Sequence, residues 1–264
     1  RAKLSLSGPA LLKGEVAPTR VELIGATALI VRRADGGVQL GFQIGDAKDE
    51  DASSEGMTKA ILEAMLRPKA NDNLSRYLKR FAITDAKLTI FDEETKSYWN
   101  AEKASVTFDR QKDGVVATVQ APLRLADKST WLFTGVARYG NGKENIAIEA
   151  AFKPVRLSLL AASGAGLKAL EGMDIAVAGN AACNLSMAGQ LGACKLWLNA
   201  GEGSLQLPAL KHDPIHVQNA AVTVALDFGQ HRYAIEEMTW KGDTIRGKVS
   251  GSGAFAFADD GALA

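Results

Sequence analysis

The chain has 264 residues, of which 47% are hydrophobic, 23% charged and 6% aromatic, and its formal net charge is +1. The apolar fraction excludes a disordered chain, and the length is ample for a large hydrophobic core. Near-neutral charge without a basic cluster argues against nucleic acid as a partner, because phosphate binding needs clustered Lys and Arg.

Most of the chain alternates apolar and polar residues with a period of two, interrupted by turns rich in glycine, asparagine and aspartate. This pattern is typical of antiparallel strands joined by short hairpins. We therefore predict a mainly β fold, a long curved antiparallel meander that forms a groove-like or taco-like sheet. The predicted strands are 3–6, 20–31, 38–46, 82–91, 104–109, 114–125, 131–139, 145–152, 173–180, 184–187, 194–198, 204–207, 220–228, 233–240, 244–250 and 253–257.

Two segments depart from this alternation. Between 55 and 81 the apolar residues, among them Ile61 and Met65, follow helical spacing, and Pro68 should divide the segment into two short helices. A second short helix is expected at 157–170. We predict one continuous unit over residues 1–264, as part of a longer protein. Its parts are β structure at 1–50, a helical insertion at 51–81, a meander at 82–153, a helical connection at 154–172 and a second meander at 173–258.

Apolar side chains share one parity along several predicted strands. Leu88 and Ile90 alternate with Lys87 and Thr89, which predicts a sheet with one dry face and one wet face. Each apolar residue of this set would line a hydrophobic groove or serve as ordinary core beneath a helix or a second sheet. The candidate lining residues are Leu88, Ile90, Val106, Phe108, Ile146, Ile148, Leu185, Met187, Leu196, Leu198, Val222, Val224 and Leu226.

The two cysteines fall in one predicted hairpin whose turn contains Ala188 and Gly189. In that register Cys183 faces Cys194, and both sulfur atoms lie on the apolar side. A cross-strand disulfide and a pair of buried free thiols both satisfy this pattern.

The residues suggest no catalytic or metal-binding constellation. His212 and His216 flank Pro214, which breaks the helix that would bring them onto one face, and a third ligand is not evident. Glu93 and Glu94 are interpreted as solubilising carboxylates in an exposed turn. We expect no enzyme activity, no cofactor and no metal.

Two stretches carry a resemblance to a known family. The first is ITDAKLTIFDEET at 83–95, followed by Tyr98-Trp99 and Ala104-Ser105-Val106; the second is GEGSLQLP at 201–208, followed by Pro214-Ile215 and NAAV at 219–222. These stretches resemble the AsmA-like superfamily, and within it the large YhdP-type proteins of Gram-negative bacteria, including their AsmA-like C-terminal region. The family pattern is a strand and turn of the form xDAxLxxxDExT, then a Trp and another strand.

The resemblance implies a repeating β-groove with a hydrophobic concave face, in a periplasmic protein anchored in the inner membrane. Its implied role is outer-membrane biogenesis, by conduction of phospholipid between the inner and outer membranes. The implied partners are phospholipid or another acyl-chain lipid, membranes at the ends of the full-length protein, and further envelope proteins. The alternative is a non-catalytic structural or assembly module of the envelope with a closed β core.

Overall fold

A computed structural model describes residues 1–43, 65, 74–206, 214–243 and 246–256. Within these residues fifteen strands belong to one large, mostly antiparallel sheet that is open and curled, with a few short helices. The predicted fold class is therefore confirmed. Among the same residues, no helix has the length and apolar character needed to cross a membrane.

The strands follow one another along the chain with few helical interruptions. They are β1 (Ala2–Leu6), β2 (Pro18–Ile24), β3 (Thr27–Arg32), β4 (Val38–Gln43), β5 (Arg80–Asp92), β6 (Ser97–Gln111), β7 (Gly114–Arg124), β8 (Thr130–Gly140), β9 (Asn145–Arg156), β10 (Met173–Ser186), β11 (Leu191–Leu205), β12 (Ile215–Val217), β13 (Asn219–Asp227), β14 (Arg232–Lys241) and β15 (Arg246–Ala254). The helices whose bounds fall within the described residues are α1 (Gly8–Leu11) and α2 (Leu157–Leu160), with 3-10 turns at Leu74–Tyr77, Ala161–Ser163 and Ala165–Leu170.

Neighbouring strands in the sheet are mostly neighbours in the chain, as expected for a meander. The order is β1-β2-β5-β6-β7-β8-β9-β10-β11-β13-β14-β15, with β12 paired to β11 and the β3–β4 hairpin attached to β5. Both β2 and β3 run parallel to β5, β2 along its first half and β3 along its second. The other named pairs are antiparallel, so hairpin turns alone connect most of the sheet.

The segment predicted as one strand at 20–31 forms two strands, β2 and β3, because the extended structure is interrupted at Gly25. Gly25 has φ of +73°, and its N–H donates to the carbonyl oxygen of Thr84 at 2.9 Å. At this point β5 carries a bulge, with Asp85 at φ of +51°. The break between β2 and β3 follows the bulge, so that both strands stay paired to β5.

Several strands are longer than predicted, and two of the longer strands contain glycines in their interior. The predicted segments 173–180 and 184–187 are one strand, and so are 194–198 and 204–207. At Gly179 the ring of Phe152 and the side chain of Leu198 fill the space beside the backbone; an added Cβ would lie 2.8 Å from Phe152 Cζ and 2.7 Å from Leu198 Cδ2. Glycine therefore serves close packing here and does not mark a turn.

The helical predictions have different outcomes. Of the insertion predicted at 55–81, only Met65 and residues from 74 onward lie within the described part, and the rest falls outside it. The connection predicted at 157–170 is a series of short turns, not one helix. It bends at Gly164, where an added Cβ would lie 2.5 Å from the Cα of Ser97, so the connection packs closely on the β5–β6 turn.

The main core lies on one face of the first half of the sheet. Its buried members include Phe81, Ile83, Leu88 and Val106, with smaller alanines between them. Aromatic side chains extend this core along the sheet: the ring centroids of Trp99 and Trp131 are 5.8 Å apart, and those of Trp131 and Phe152 are 5.5 Å apart. Alanines let these large rings lie across the sheet without steric overlap.

We expect Gly179→Ala to destabilise the sheet, because the added methyl group overlaps Phe152 and Leu198. The free energy of unfolding should fall by about 1–3 kcal/mol, measured by urea denaturation. Gly201→Ala is the matched control, since an added Cβ there has no neighbour within 4 Å. Equal effects of the two substitutions would show that Gly179 is not closely packed.

Candidate functional site

One face of the second half of the sheet carries a continuous apolar surface, which we call the apolar lane. Four rows of paired residues run across β9, β10, β11, β13, β14 and β15 without a charged side chain. The rows are Ile148–Cys183–Cys194–Leu226–Tyr233–Gly253, Ala150–Ala181–Leu196–Val224–Ile235–Gly251, Phe152–Gly179–Leu198–Val222–Met238–Val249 and Val155–Val177–Ala200–Ala220–Trp240–Gly247. From standard spacings the lane measures about 24 Å across the strands and about 20 Å along them.

The candidate lining residues lie on the same face as the lane, except Met187. The row of paired residues that contains Val224 extends beyond the lane to Gly135, Val119 and Val106. Val106 is itself a member of the main core. Met187 follows the end of β10, in the turn that closes at Gly189, and is exposed. The pairing register therefore joins residues from both halves of the sheet into one face.

Burial divides these residues into two groups. Leu88 is 1% exposed and Val106 is 4% exposed, and both pack in the main core. The lane residues Ile148, Leu196 and Val224 are half-buried. The first group packs as ordinary core does, and the second presents apolar atoms at a surface.

Helical segments cover the two ends of the apolar face. At one end Met65 and Leu78 pack against Val115 and Phe108. Arg110 fixes this cover, donating from Nε to the carbonyl oxygen of Met65 at 3.1 Å and from Nη1 to that of Arg76 at 3.3 Å. Burial lowers the pKa of Arg110 from its ordinary value. At the other end Leu157 of α2 packs on the lane beside Phe152.

The two cysteines lie in the first row of the lane. Cys183 pairs directly with Cys194, and their sulfur atoms form a disulfide. The observed hairpin register is thus the predicted one. Of the two alternatives that the sequence left open, a disulfide and a pair of free thiols, the structure has the disulfide. The bond joins neighbouring strands on the apolar face, where it adds no charge to the row.

We predict that reduction of this disulfide changes the mass of the unfolded chain by about two hydrogens. Because the closed loop is short, the free energy of unfolding should fall by about 2–3 kcal/mol, measured by urea denaturation with and without reductant. A protein whose mass is unchanged under denaturing reduction would contradict the bond.

A charged cluster that the sequence did not indicate closes the curl of the sheet. Arg32 on β3 binds Asp92 at 2.8 Å and also binds Glu94, and its guanidinium lies 4.8 Å from the ring centroid of Phe228. Glu94 is also 3.3 Å from Nε2 of His231 in the β13–β14 turn. We call these five residues the clasp, because they connect the first strands to the last.

The clasp corrects the interpretation of Glu94 as a solubilising residue. Its side chain is only 10% exposed, since the β5–β6 turn folds onto the β13–β14 turn. Beside the clasp, the β3–β4 turn meets the β10–β11 turn, where Val38 N–H donates to the Gly189 carbonyl oxygen at 2.8 Å. No local pattern could have predicted these contacts, because their partners are far apart in the chain.

We expect Arg32→Ala to lower the free energy of unfolding by roughly 3 kcal/mol, because it leaves two largely buried carboxylates without their cation. Arg124→Ala is the control: Arg124 pairs with Glu102 at 3.3 Å, both side chains are exposed, and the loss should be below about 1 kcal/mol. Thermal denaturation at constant pH measures both. Similar losses would mean that the clasp contributes little.

The histidines form no metal site in the described residues. His216 Nδ1 lies 3.1 Å from both carboxylate oxygens of Asp243, and His212 falls outside the described part. Hydrogen bonds from His216, and then from Gln218, lower the pKa of Asp243. No group of three metal-ligating side chains occurs among the described residues.

Two depressions lie mainly on the opposite face of the sheet, where the sequence predicted none. One of about 700 Å³ has a floor of small residues, including Ala182, Ala225 and Ala234. The second, of about 390 Å³, is bordered by Thr134 and Trp197. The sequence feature that could have indicated these depressions is the alternation of alanines with the large lane residues: Ala225, for example, stands between Val224 and Leu226.

Comparisons with known proteins found no matching family model, no matching curated protein and no matching solved structure. The resemblance to AsmA-like proteins therefore stays a prediction.

Proposed function

We propose that this protein binds phospholipid acyl chains along the apolar lane, as a periplasmic segment of an AsmA-like protein that conducts lipid between the inner and outer membranes. One observation carries the proposal: four neighbouring rows over six strands present only uncharged, mostly aliphatic side chains, and Leu196 and Val224 at their centre are half-buried. An ordinary core would bury such residues fully.

The dimensions of the lane suit an acyl chain. Half of a bilayer's hydrocarbon core is about 15 Å thick, and the lane extends about 20 Å or more in both directions. Each buried methylene contributes about 0.8 kcal/mol, so a tail is held without any polar contact. Because the rows contain no charge, they also lack a site that would stop a tail from moving along them.

The disulfide supports the periplasmic part of the proposal. Cys183 and Cys194 are bonded, and such bonds persist in oxidising compartments, including the bacterial periplasm. The inner-membrane anchor and the membranes at both ends belong to the same proposal and rest on the resemblance alone.

The second candidate function is a non-catalytic envelope module with a closed core. It is favoured by the burial of Leu88 and Val106, which pack as core residues. The two functions differ in what happens when a charge enters the lane: a binding surface loses its ligand, whereas a closed core loses its fold.

Substitution of neighbouring residues on β13 tests the lane directly. Val224→Asp should weaken binding of a fluorescent fatty acid at least about tenfold while the protein stays folded, because the carboxylate enters a half-buried apolar row. Circular dichroism checks the fold. Leu88→Asp should unfold the protein, since Leu88 is a core residue.

Ala225→Asp is the matched control, because Ala225 pairs with Ala234 on the opposite face, in the 700 Å³ depression. It should leave tail binding unchanged. Loss of binding in Ala225→Asp alone would place the ligand in the depression and contradict the lane. Unfolding of Val224→Asp would favour the closed module.

The cargo can be identified without a variant. Organic extraction of purified protein, followed by lipid mass spectrometry, should recover phospholipid in the wild type and much less in Val224→Asp. Recovery of no lipid, together with no binding of the fluorescent fatty acid, would count decisively against the proposal.

A further inference from the structure

A group of large apolar side chains is exposed where β1 turns into β2. Leu4, Leu6, Leu11, Leu12 and Val16 all lie on the surface, and Leu12 is 91% exposed. Scattered exposed leucines are normal, but a concentration of five within thirteen residues marks a binding surface. We call residues 1–20 the β1–β2 corner.

The exposed leucines are held in a fixed arrangement. Ser7 caps α1, its Oγ accepting from Ala10 N–H at 3.3 Å, and Ser7 N–H donates to the Ala17 carbonyl oxygen at 2.9 Å. Ala10 and Ala17 are completely buried and fasten the loop to the sheet. Because α1 ends after four residues, Leu12 lies beyond the helix and stays exposed.

A cationic depression lies beside this loop on the polar face of the sheet. It measures about 320 Å³, and its lining includes three cations, Lys3, Arg20 and Arg80, one carboxylate, Glu22, and the hydroxyl groups of Ser5 and Thr84. Ser5 pairs with Arg20, one position before the pair of Leu6 with Pro18 that leads into the loop. Because side chains alternate along β1, Leu4 and Leu6 lie on the face opposite Lys3 and Ser5, so the exposed leucines and the depression flank the same sheet edge, formed by β1.

The acidic residues of this region are engaged by other groups. Glu15 binds Arg76 through both carboxylate oxygens, at 3.0 and 2.8 Å. Glu22 accepts from Thr84 Oγ1 at 2.9 Å. Glu22 also pairs with Lys3 at 3.9 Å, and Arg80 pairs with Asp109 at 2.5 Å, whereas Arg20 makes no ion pair among the described residues. Residues 1–20 contain four basic side chains and one acidic side chain, so the corner presents excess positive charge next to apolar side chains.

We propose that the β1–β2 corner docks on an anionic lipid surface. Leu11 and Leu12 enter the interface, Lys13 stays at headgroup level, and the depression at Arg20 receives a lipid phosphate. Cations that flank inserted apolar groups are the pattern of interfacial binding, and a lipid phosphate is the anion that such a surface supplies. This proposal goes beyond tail binding in the lane and does not depend on it.

The surface also connects with the apolar face. Leu4 pairs with Val21, and Val21 pairs with Phe81 of the main core. The exposed leucines of β1 therefore continue the apolar face to the edge of the sheet. A docked membrane would meet that face directly.

Vesicle sedimentation tests the proposal with the full chain. Binding should be strong on vesicles in which about a third of the phosphatidylcholine is replaced by phosphatidylglycerol, weak on phosphatidylcholine alone, and reduced by salt. Leu11→Ser with Leu12→Ser should lower the partition coefficient at least about tenfold, because two apolar side chains leave the interface. Arg20→Gln should lower it about fivefold, and only on the anionic vesicles.

Controls come from exposed residues elsewhere on the sheet. Leu29→Ser on β3, where Leu29 is 43% exposed, and Lys143→Gln in the β8–β9 turn should leave vesicle binding unchanged, and all variants should keep the wild-type circular dichroism spectrum. Fluorescent fatty-acid binding should persist in the leucine variant, which separates failure of docking from failure of the lane.

Three outcomes would overturn the proposal. Binding that is equal on both kinds of vesicle, or unaffected by the leucine and Arg20 variants, would exclude docking at this corner. A dimer that dissociates in the leucine variant would assign the patch to a second copy of the chain. Release from vesicles by inorganic phosphate, but not by sodium chloride of equal ionic strength, would make the depression a site for free phosphate.

Discussion

The constraint on which this structure depends is the parity of its side chains. A sheet of this width keeps one face apolar only if every strand places its apolar residues on the same side, and a slip of one residue reverses them. The bulges preserve this parity. In β14, Ile235 and Met238 are three residues apart, yet both face the lane, because the register shifts between them. The bulge at Asp85 does the same between Ile83 and Ala86 in β5.

The curl depends on contacts between turns. Strand pairing alone would leave an open twisted sheet with solvent on both faces. The clasp around Arg32, and the backbone contact of Val38 with Gly189, bring the first strands against the last. Arg32 keeps its Nε buried without a hydrogen-bond partner in the structure, which indicates that the charged pairs and the ring of Phe228 determine its position.

The two faces of the sheet have different chemistry, and the proposals follow that division. The apolar face changes from closed core around Leu88 to half-buried surface around Val224. The polar face holds the cationic depression at Arg20 and the alanine-floored depression at Ala225. The proposed tail binding and the proposed surface docking thus involve separate residues of one continuous sheet.

Most strands, their parity and the register that places Cys183 opposite Cys194 could be predicted from the sequence, because two-residue alternation and turn chemistry are local properties; the bond between the two cysteines came from the structure. The sequence prediction missed the interruption at Gly25 and ended a strand at Asn180 where β10 continues to Ser186, because local patterns do not distinguish a glycine in a turn from a glycine in a packed strand. The three-dimensional fold was needed to show that Leu88 is core while Val224 is half-exposed, that Glu94 belongs to the clasp, and that Leu12 faces solvent. The physical reason is that burial depends on the curl, which brings together residues that are distant in the chain.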